Sequence, residues 1–186
     1  MARKNPESEE TRESIRQTAA KLFCGNGVYA TSLQDIADAA GLSKGTLYYH
    51  YPGKDMLVVE ITEQYFAHIT EAFYAWLDSV TAAMAARDAV AMLHKQLNRT
   101  GGFLKLYFAL FSEALREDGP LRALMLSYQK EWALLAEMGA LKLTDAASKR
   151  FRAFSHSYIA LLDGLALHGL LNGEPNTDIL LQLLLD

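Results

Sequence analysis

Apolar residues recur along this chain at intervals of three and four, the spacing that lines one face of an α-helix. Ile15, Ala19, Leu22 and Phe23 fall at i, i+4, i+7 and i+8, which predicts a helix from Thr11 to about Cys24, with Gly25 as its stop and Asn26-Gly27 as a turn. Residues 1–10 are acidic and polar and are expected to be flexible. Thr31 with Gln34 three residues later has the spacing of a capping box, and Leu33, Ile36, Ala37 and Ala40 form the apolar stripe of a second helix ending at Gly41. Ser43 can cap a third, short helix through about His50, which Pro52 closes because it has no N–H to donate.

A long fourth helix is predicted from Lys54, with Leu57, Ile61, Tyr65, Ile69, Phe73 and Trp76 on one face; either a break near Ser79 or continuation through the Ala-rich 82–86 fits the pattern. A fifth helix ends before Gly101-Gly102, a sixth spans roughly Phe103 to Glu117, and Gly119-Pro120 opens a seventh. Thr144 or Asp145 can cap an eighth, which Asn172-Gly173 stops after about Leu171, leaving a short Leu-rich ninth.

Composition sharpens this to an all-α fold. Leu (30) and Ala (27) dominate, whereas Val and Ile together number 11, so helix formers far outweigh β-branched strand formers. At 186 residues the chain suits one or two small domains, and the pattern divides it into residues 1–53 and 54–186. The lone Cys24 excludes an intramolecular disulfide and a four-Cys zinc site, which points to a reducing compartment, the cytoplasm. The start has no apolar run, and charges interrupt every apolar stretch short of about 18 residues, so no membrane partner is expected. His68, His94, His156 and His168 include no i, i+4 pair, and no nucleophile or phosphate-loop motif appears. Neither enzyme chemistry, a metal nor a cofactor is expected.

The net charge of −4 removes the simplest argument for nucleic-acid binding, so any such site must be locally cationic. Between Ala39 and Lys54 there are two lysines and no carboxylate. Residues 31–51, TSLQDIADAAGLSKGTLYYHY, read as helix, glycine turn, helix, with Ile36, Ala37, Leu42 and Leu47 inward. The second helix turns Ser43, Lys44, Gly45, Thr46, Tyr48, Tyr49 and His50 outward, a face of donors and flat rings suited to phosphates and base edges. An ordinary αα-hairpin without a DNA role is the alternative reading of the same pattern.

From Ile15 to Leu57, including LFCGNGVYATSLQDIADAAGLSKGTLYYHYPGKDML, the chain resembles the N-terminal domain of TetR-family transcriptional regulators. The resemblance covers roughly a quarter of the chain. It implies that Lys44, Gly45, Thr46, Tyr48, Tyr49 and His50 lie on a recognition helix, and that Thr31, Ser32 and Lys54 hold phosphates at helix starts. Gly53 stands where the family usually has a capping residue, and Tyr51 where Phe is commoner, which adds a hydroxyl in need of a partner.

Beyond the helix-turn-helix, Asp163 is the only formal charge from Ala153 to Leu171, so the eighth helix is expected to be covered on more than one side. We expect a homodimer through a four-helix interface of the last two helices, using Ala160, Gly164, His168, Leu171 and Leu181. The resemblance also implies a small-molecule effector, and the aromatic residues Phe103, Tyr107, Phe108, Phe111 and Trp132 are the expected lining. The expected function is a ligand-responsive regulator, a repressor that binds a pseudo-palindromic double-stranded DNA operator. A helical small-molecule carrier and a protein adaptor, both without sequence-specific DNA binding, are the alternatives.

Overall fold

The computed structural model of the protein describes residues 6–98, 104–116 and 118–173. Every regular element among them is an α-helix: α1 (Pro6–Asn26), α2 (Leu33–Ala39), α3 (Lys44–His50), α4 (Lys54–Ser79), α5 (Ala86–Asn98), α6 (Leu104–Ala114), α7 (Pro120–Lys142) and α8 (Ala146–Asn172). Phe103, Gly101-Gly102, Leu181 and the expected ninth helix lie outside the described residues.

The helix ends show which local signals governed. α1 starts at Pro6, five residues before the expected start, because Pro suits a first helical turn and Glu7 and Glu9 there complement the helix dipole. Its stop is Gly27 rather than Gly25: Gly27 takes the left-handed backbone (φ 82°) and donates to the Phe23 carbonyl at 3.0 Å. The capping box of α2 is shifted by one residue, with Ser32 and Asp35 exchanging hydrogen bonds, so Ser32 rather than Thr31 is the cap. After α2, Gly41 (φ 68°) donates to Asp38 O and Leu42 donates to Ala37 O at 2.9 Å. These paired bonds form a Schellman turn, in which glycine supplies the left-handed position.

The chain divides into two compact units, residues 1–64 with 105–125, and residues 65–104 with 126–186. This differs from a division at residue 53. Leu57, Val58 and Ile61 of α4 and Leu106 and Leu110 of α6 are buried in one cluster with Ile15, Ala19, Phe23, Ile36, Ala37 and Leu47. Helix α1 and the two short helices α2 and α3 cannot cover their own apolar faces, so later segments complete the core. Cys24 packs against this cluster, and burial pushes its thiol pKa up, with Lys105 opposing. On the polar side of α1, Arg12 and Arg16 both pair with Glu60 of α4, and Arg16 also meets Glu13 and Glu9.

In the second unit, residues far apart in sequence settle where α4 ends. Lys142 donates to the Leu77 carbonyl, Thr144 to the Ala82 carbonyl, and the Ala86 N–H donates to the Asp145 carboxylate at 2.9 Å. The free groups of the α4–α5 break are therefore satisfied from the α7–α8 turn, about 60 residues on. Trp76 is fully buried and donates from Nε1 to the Ala89 carbonyl at 2.7 Å. A Cβ at Gly139 would lie 2.1 Å from the Trp76 ring, so α7 reaches the indole only because residue 139 has no side chain. Gly139→Ala should destabilise the protein by about 1–3 kcal/mol or more. Thermal unfolding followed by circular dichroism checks this, and Gly25→Ala, whose Cβ meets nothing within 4 Å, serves as the comparison.

His94 stacks on Tyr158 with ring planes 1° apart and centroids 5.9 Å apart, and its Nε2 is buried with no hydrogen-bond partner among the described residues. Burial holds the His94 pKa below its ordinary value. Below about pH 6.5 the unfolded chain therefore takes up a proton that folded His94 refuses, and stability falls with falling pH until the folded pKa is passed. Denaturant titrations between pH 7.5 and pH 5 should show this decline, and it should be smaller in His94→Phe.

Candidate nucleic-acid interface

The seven residues of α3 are too few to form a stable helix alone, so their conformation is imposed by a cap and by packing. The Ser43 side chain accepts from the Thr46 N–H at 3.0 Å, and its hydroxyl also lies 2.8 Å from the Thr46 hydroxyl. Leu47 is the one α3 residue that is buried. Lys44, Gly45, Tyr48 and Tyr49 are exposed, and Thr46 and His50 are partly so. The Lys44 ammonium lies 5.5 Å from the Tyr48 ring centroid, and the His50 ring meets Tyr49 edge-on at 5.1 Å. This arrangement presents a charged donor, a glycine backbone and two phenols together on one short helix.

The residues expected to hold phosphates separate into two groups. Ser32 is exposed at the start of α2; its N–H and hydroxyl bond the Asp35 carboxylate at 2.8 and 2.7 Å, which holds that carboxyl below its usual range. Thr31 and Lys54 make contacts within the protein. Thr31 is 1% exposed and donates its hydroxyl to the Gly27 carbonyl at 2.8 Å. The Lys54 ammonium donates to the carbonyls of Val28, Tyr29 and Thr31 at 3.0, 3.4 and 3.2 Å. Carbonyls in the irregular turn after α1 need donors, and Lys54 supplies three. Its role is to hold the α1–α2 turn.

Other contacts of this unit were not legible from spacing. The Arg116 guanidinium, just beyond α6, lies 3.6 Å from the centroid of the exposed Tyr29 ring in that turn, a cation–π contact across 87 residues of sequence. Tyr51, the C-cap of α3, is fully buried with the Arg12 guanidinium 4.9 Å from its ring centroid. Burial first, and then the Glu60 charge, push the Tyr51 pKa up.

The expected effector residues that are described are divided between the two units. Tyr107 is buried and touches Phe108 and Phe111 in the first unit, where α6 contributes to the core. Trp132 is buried in the second unit against Phe66 and Phe73, and its indole N–H donates to the Thr70 hydroxyl at 2.8 Å. On α8, Ala160, Gly164, His168 and Leu171 are exposed along one stripe, and Leu171 is 74% exposed. Among the described residues no cluster of His, Cys, Asp and Glu could hold a metal, and no helix is long and apolar enough to cross a membrane.

The capped α2, the Schellman turn at Gly41 and the outward face of α3 define a helix-turn-helix protein. Residues 15–61 match the bacterial regulatory proteins of the tetR family. The transcriptional repressor KstR2 of Mycolicibacterium smegmatis is 31% identical over 94 residues, a segment that spans 46% of each chain. The transcriptional regulator LmrA of Bacillus subtilis is 29% identical over 83% of this chain and 84% of its own. Among solved structures, the proposed transcriptional regulator SCO7518 of Streptomyces coelicolor A3(2) superposes with a TM-score of 0.71 at 27% identity, covering 94% of this chain and 96% of the other. The similarity to the tetR family of bacterial regulatory proteins thus lies in residues 15–61.

Gly45 separates packing from any contact role of α3. A Cβ there would meet only the Ser43 hydroxyl at 3.7 Å, an ordinary contact, so nothing in the protein's own packing requires glycine. Gly45→Ala should raise stability by about 0.5–1 kcal/mol, as helix-interior Gly→Ala exchanges do. If the bare backbone is needed by DNA, the same variant should bind it less tightly. Paired melting curves and DNA titrations read the two effects separately.

Proposed function

We propose that this protein is a ligand-responsive transcriptional regulator, a cytoplasmic repressor that binds a pseudo-palindromic operator as a homodimer. The observation that carries the reading is the α3 face: a helix anchored through Leu47 and capped by Ser43, with Lys44, Gly45, Tyr48 and Tyr49 exposed. In a chain of net charge −4, this locally cationic helix has the composition expected of a surface that meets phosphates and base edges. Lys44 supplies a phosphate donor, and Thr46, Tyr48 and His50 are placed to reach bases. The repressor name of the KstR2 relative supports the direction of regulation.

Two recognition helices related by a two-fold axis reach successive major grooves about 34–36 Å apart. The exposed α8 stripe of Ala160, Gly164, His168 and Leu171, extended by Leu167 and Leu170, is the surface we assign to the partner copy, with Leu181 beyond it. A small apolar or aromatic effector would release the operator by favouring another spacing of the two helices. The aromatic group of Trp132, Phe66 and Phe73 and that of Tyr107, Phe108 and Phe111 are the candidate contacts. Residues of α4 belong to both units, so this helix is the proposed carrier of the change, for which about 1–3 kcal/mol of coupling suffices.

Selection of genomic DNA fragments by the purified protein tests the reading. The recovered sites should contain inverted half-sites, and affinity should fall steeply between 50 and 300 mM salt. Lys44→Ala should lower the salt slope by about one unit per lost phosphate contact at each half-site and weaken all sequences alike. Tyr48→Ala should instead cost about 1–3 kcal/mol on the selected site and relax its sequence preference. Recovery of no enriched sequence, together with unchanged affinity in both variants, would reject DNA recognition by α3.

A further inference from the structure

A rigid rod is fixed in position by one anchor and in direction by two. Within the seven residues of α3, Leu47 is the one buried anchor. The next buried residue is Tyr51, four positions on and therefore on the same helical face, which closes the helix by donating its N–H to the Leu47 carbonyl at 2.8 Å. Tyr51 thus sets the direction in which the contact face points. With a rise of about 1.5 Å per residue, Lys44 lies about 4.5 Å from Leu47 along the axis, and tilting α3 about Leu47 by roughly 10° displaces its first turn by about 0.8 Å. That exceeds the distance tolerance of a hydrogen bond.

What holds Tyr51 differs from what holds Leu47. Tyr51 belongs to the buried apolar cluster, but the Arg12 guanidinium also stands 4.9 Å from its ring centroid. Arg12 is held in turn by Glu60, whose second carboxylate oxygen takes Arg16. Arg16 is braced by Glu13 and Glu9. Glu60 acts on the phenol as well, since its charge is among the causes that raise the Tyr51 pKa. The Tyr51 hydroxyl itself has no hydrogen-bond partner among the described residues, so the ring carries the contact. Arg12 and Glu60 are half-buried and paired, and neither belongs to the α3 contact face.

We propose that Arg12 and Glu60 are positioning residues for sequence recognition, because they clamp Tyr51 and thereby fix the direction of the recognition helix. The proposal rests on the DNA-binding reading of α3 and adds to it a control over specificity from outside the contact face. Non-specific binding depends on phosphate neutralisation and tolerates a tilted helix, whereas base contacts do not. Disturbing the clamp should therefore reduce the ratio of specific to non-specific affinity, while a purely stabilising role would lower the melting temperature and leave that ratio alone.

The test uses the full chain and three variants: Arg12→Lys, which keeps the charge but loses the planar guanidinium, Glu60→Gln, and Tyr51→Phe, which keeps the ring. For each, affinity for the selected site and for random-sequence DNA is measured well below the melting temperature, and backbone amide shifts of Lys44–His50 are recorded without DNA. We expect Arg12→Lys and Glu60→Gln to reduce the specificity ratio about tenfold, with random-sequence affinity of Arg12→Lys within twofold of the parent and amide shifts moved along α3. Tyr51→Phe should retain both the ratio and the shifts. Unchanged ratios and unchanged amide shifts in Arg12→Lys and Glu60→Gln would overturn the proposal. Moved α3 amides in a protein that selects no DNA would uphold the clamp and reject the DNA-binding reading, which separates the two failures.

Discussion

The short helix α3 cannot hold itself together. Seven residues lie well below the about 12–15 at which even Ala-rich helices become marginal in water, so the existence and aim of α3 depend on burial of Leu47 and Tyr51. Much of the first unit follows from that requirement. Ala37 is small and fully buried where α2 packs, Gly41 lets the chain reverse within a Schellman turn, and Leu42 closes the turn against the core. The cluster that receives Leu47 also includes Leu106 and Leu110, which come from α6 about 60 residues later. The proposed DNA-contact helix is thereby supported by residues well outside the helix-turn-helix.

Charge is used differently on the two sides of this unit. On the contact side a lysine, phenols and hydroxyls remain accessible, so the negative net charge of the chain does not decide how that surface interacts. On the opposite side of the sequence motif, carboxylates and guanidiniums are consumed in pairs around Glu60, and Lys54 is consumed by three carbonyls. A cation whose donors are already satisfied builds the fold, and an unburied one beside aromatic rings is free to recognise. Counting lysines along the sequence cannot separate these two cases, because the separation depends on which carbonyls the turn leaves unpaired.

The second unit follows the same logic with apolar and polar groups exchanged. Its aromatic residues are consumed in packing: Trp76 against the bare backbone of Gly139, Trp132 against Phe66 and Phe73, and His94 against Tyr158. Toward the end of α8, Leu167, Leu170 and Leu171 remain exposed. Exposed leucines at helical spacing on a helix with one internal charge from residue 153 to 171 are costly in water, and that cost favours association.

The sequence by itself determined the all-α class, the order of the described helices, the Gly41 turn, the Ser43 cap and the membership of α3, because each rests on contacts within about four residues. It also determined the exact pairing of Gly119 with Pro120 as the opening of α7. Tertiary structure alone decided the rest. The end of α4 was settled by Lys142, Thr144 and Asp145, the extent of the first unit by Leu106 and Leu110, and the engagement of Lys54 by the carbonyls of the α1–α2 turn. In each case two groups of low sequence-local information satisfy one another across a long loop, and only the folded chain brings a donor to its acceptor or an apolar side chain to its cavity.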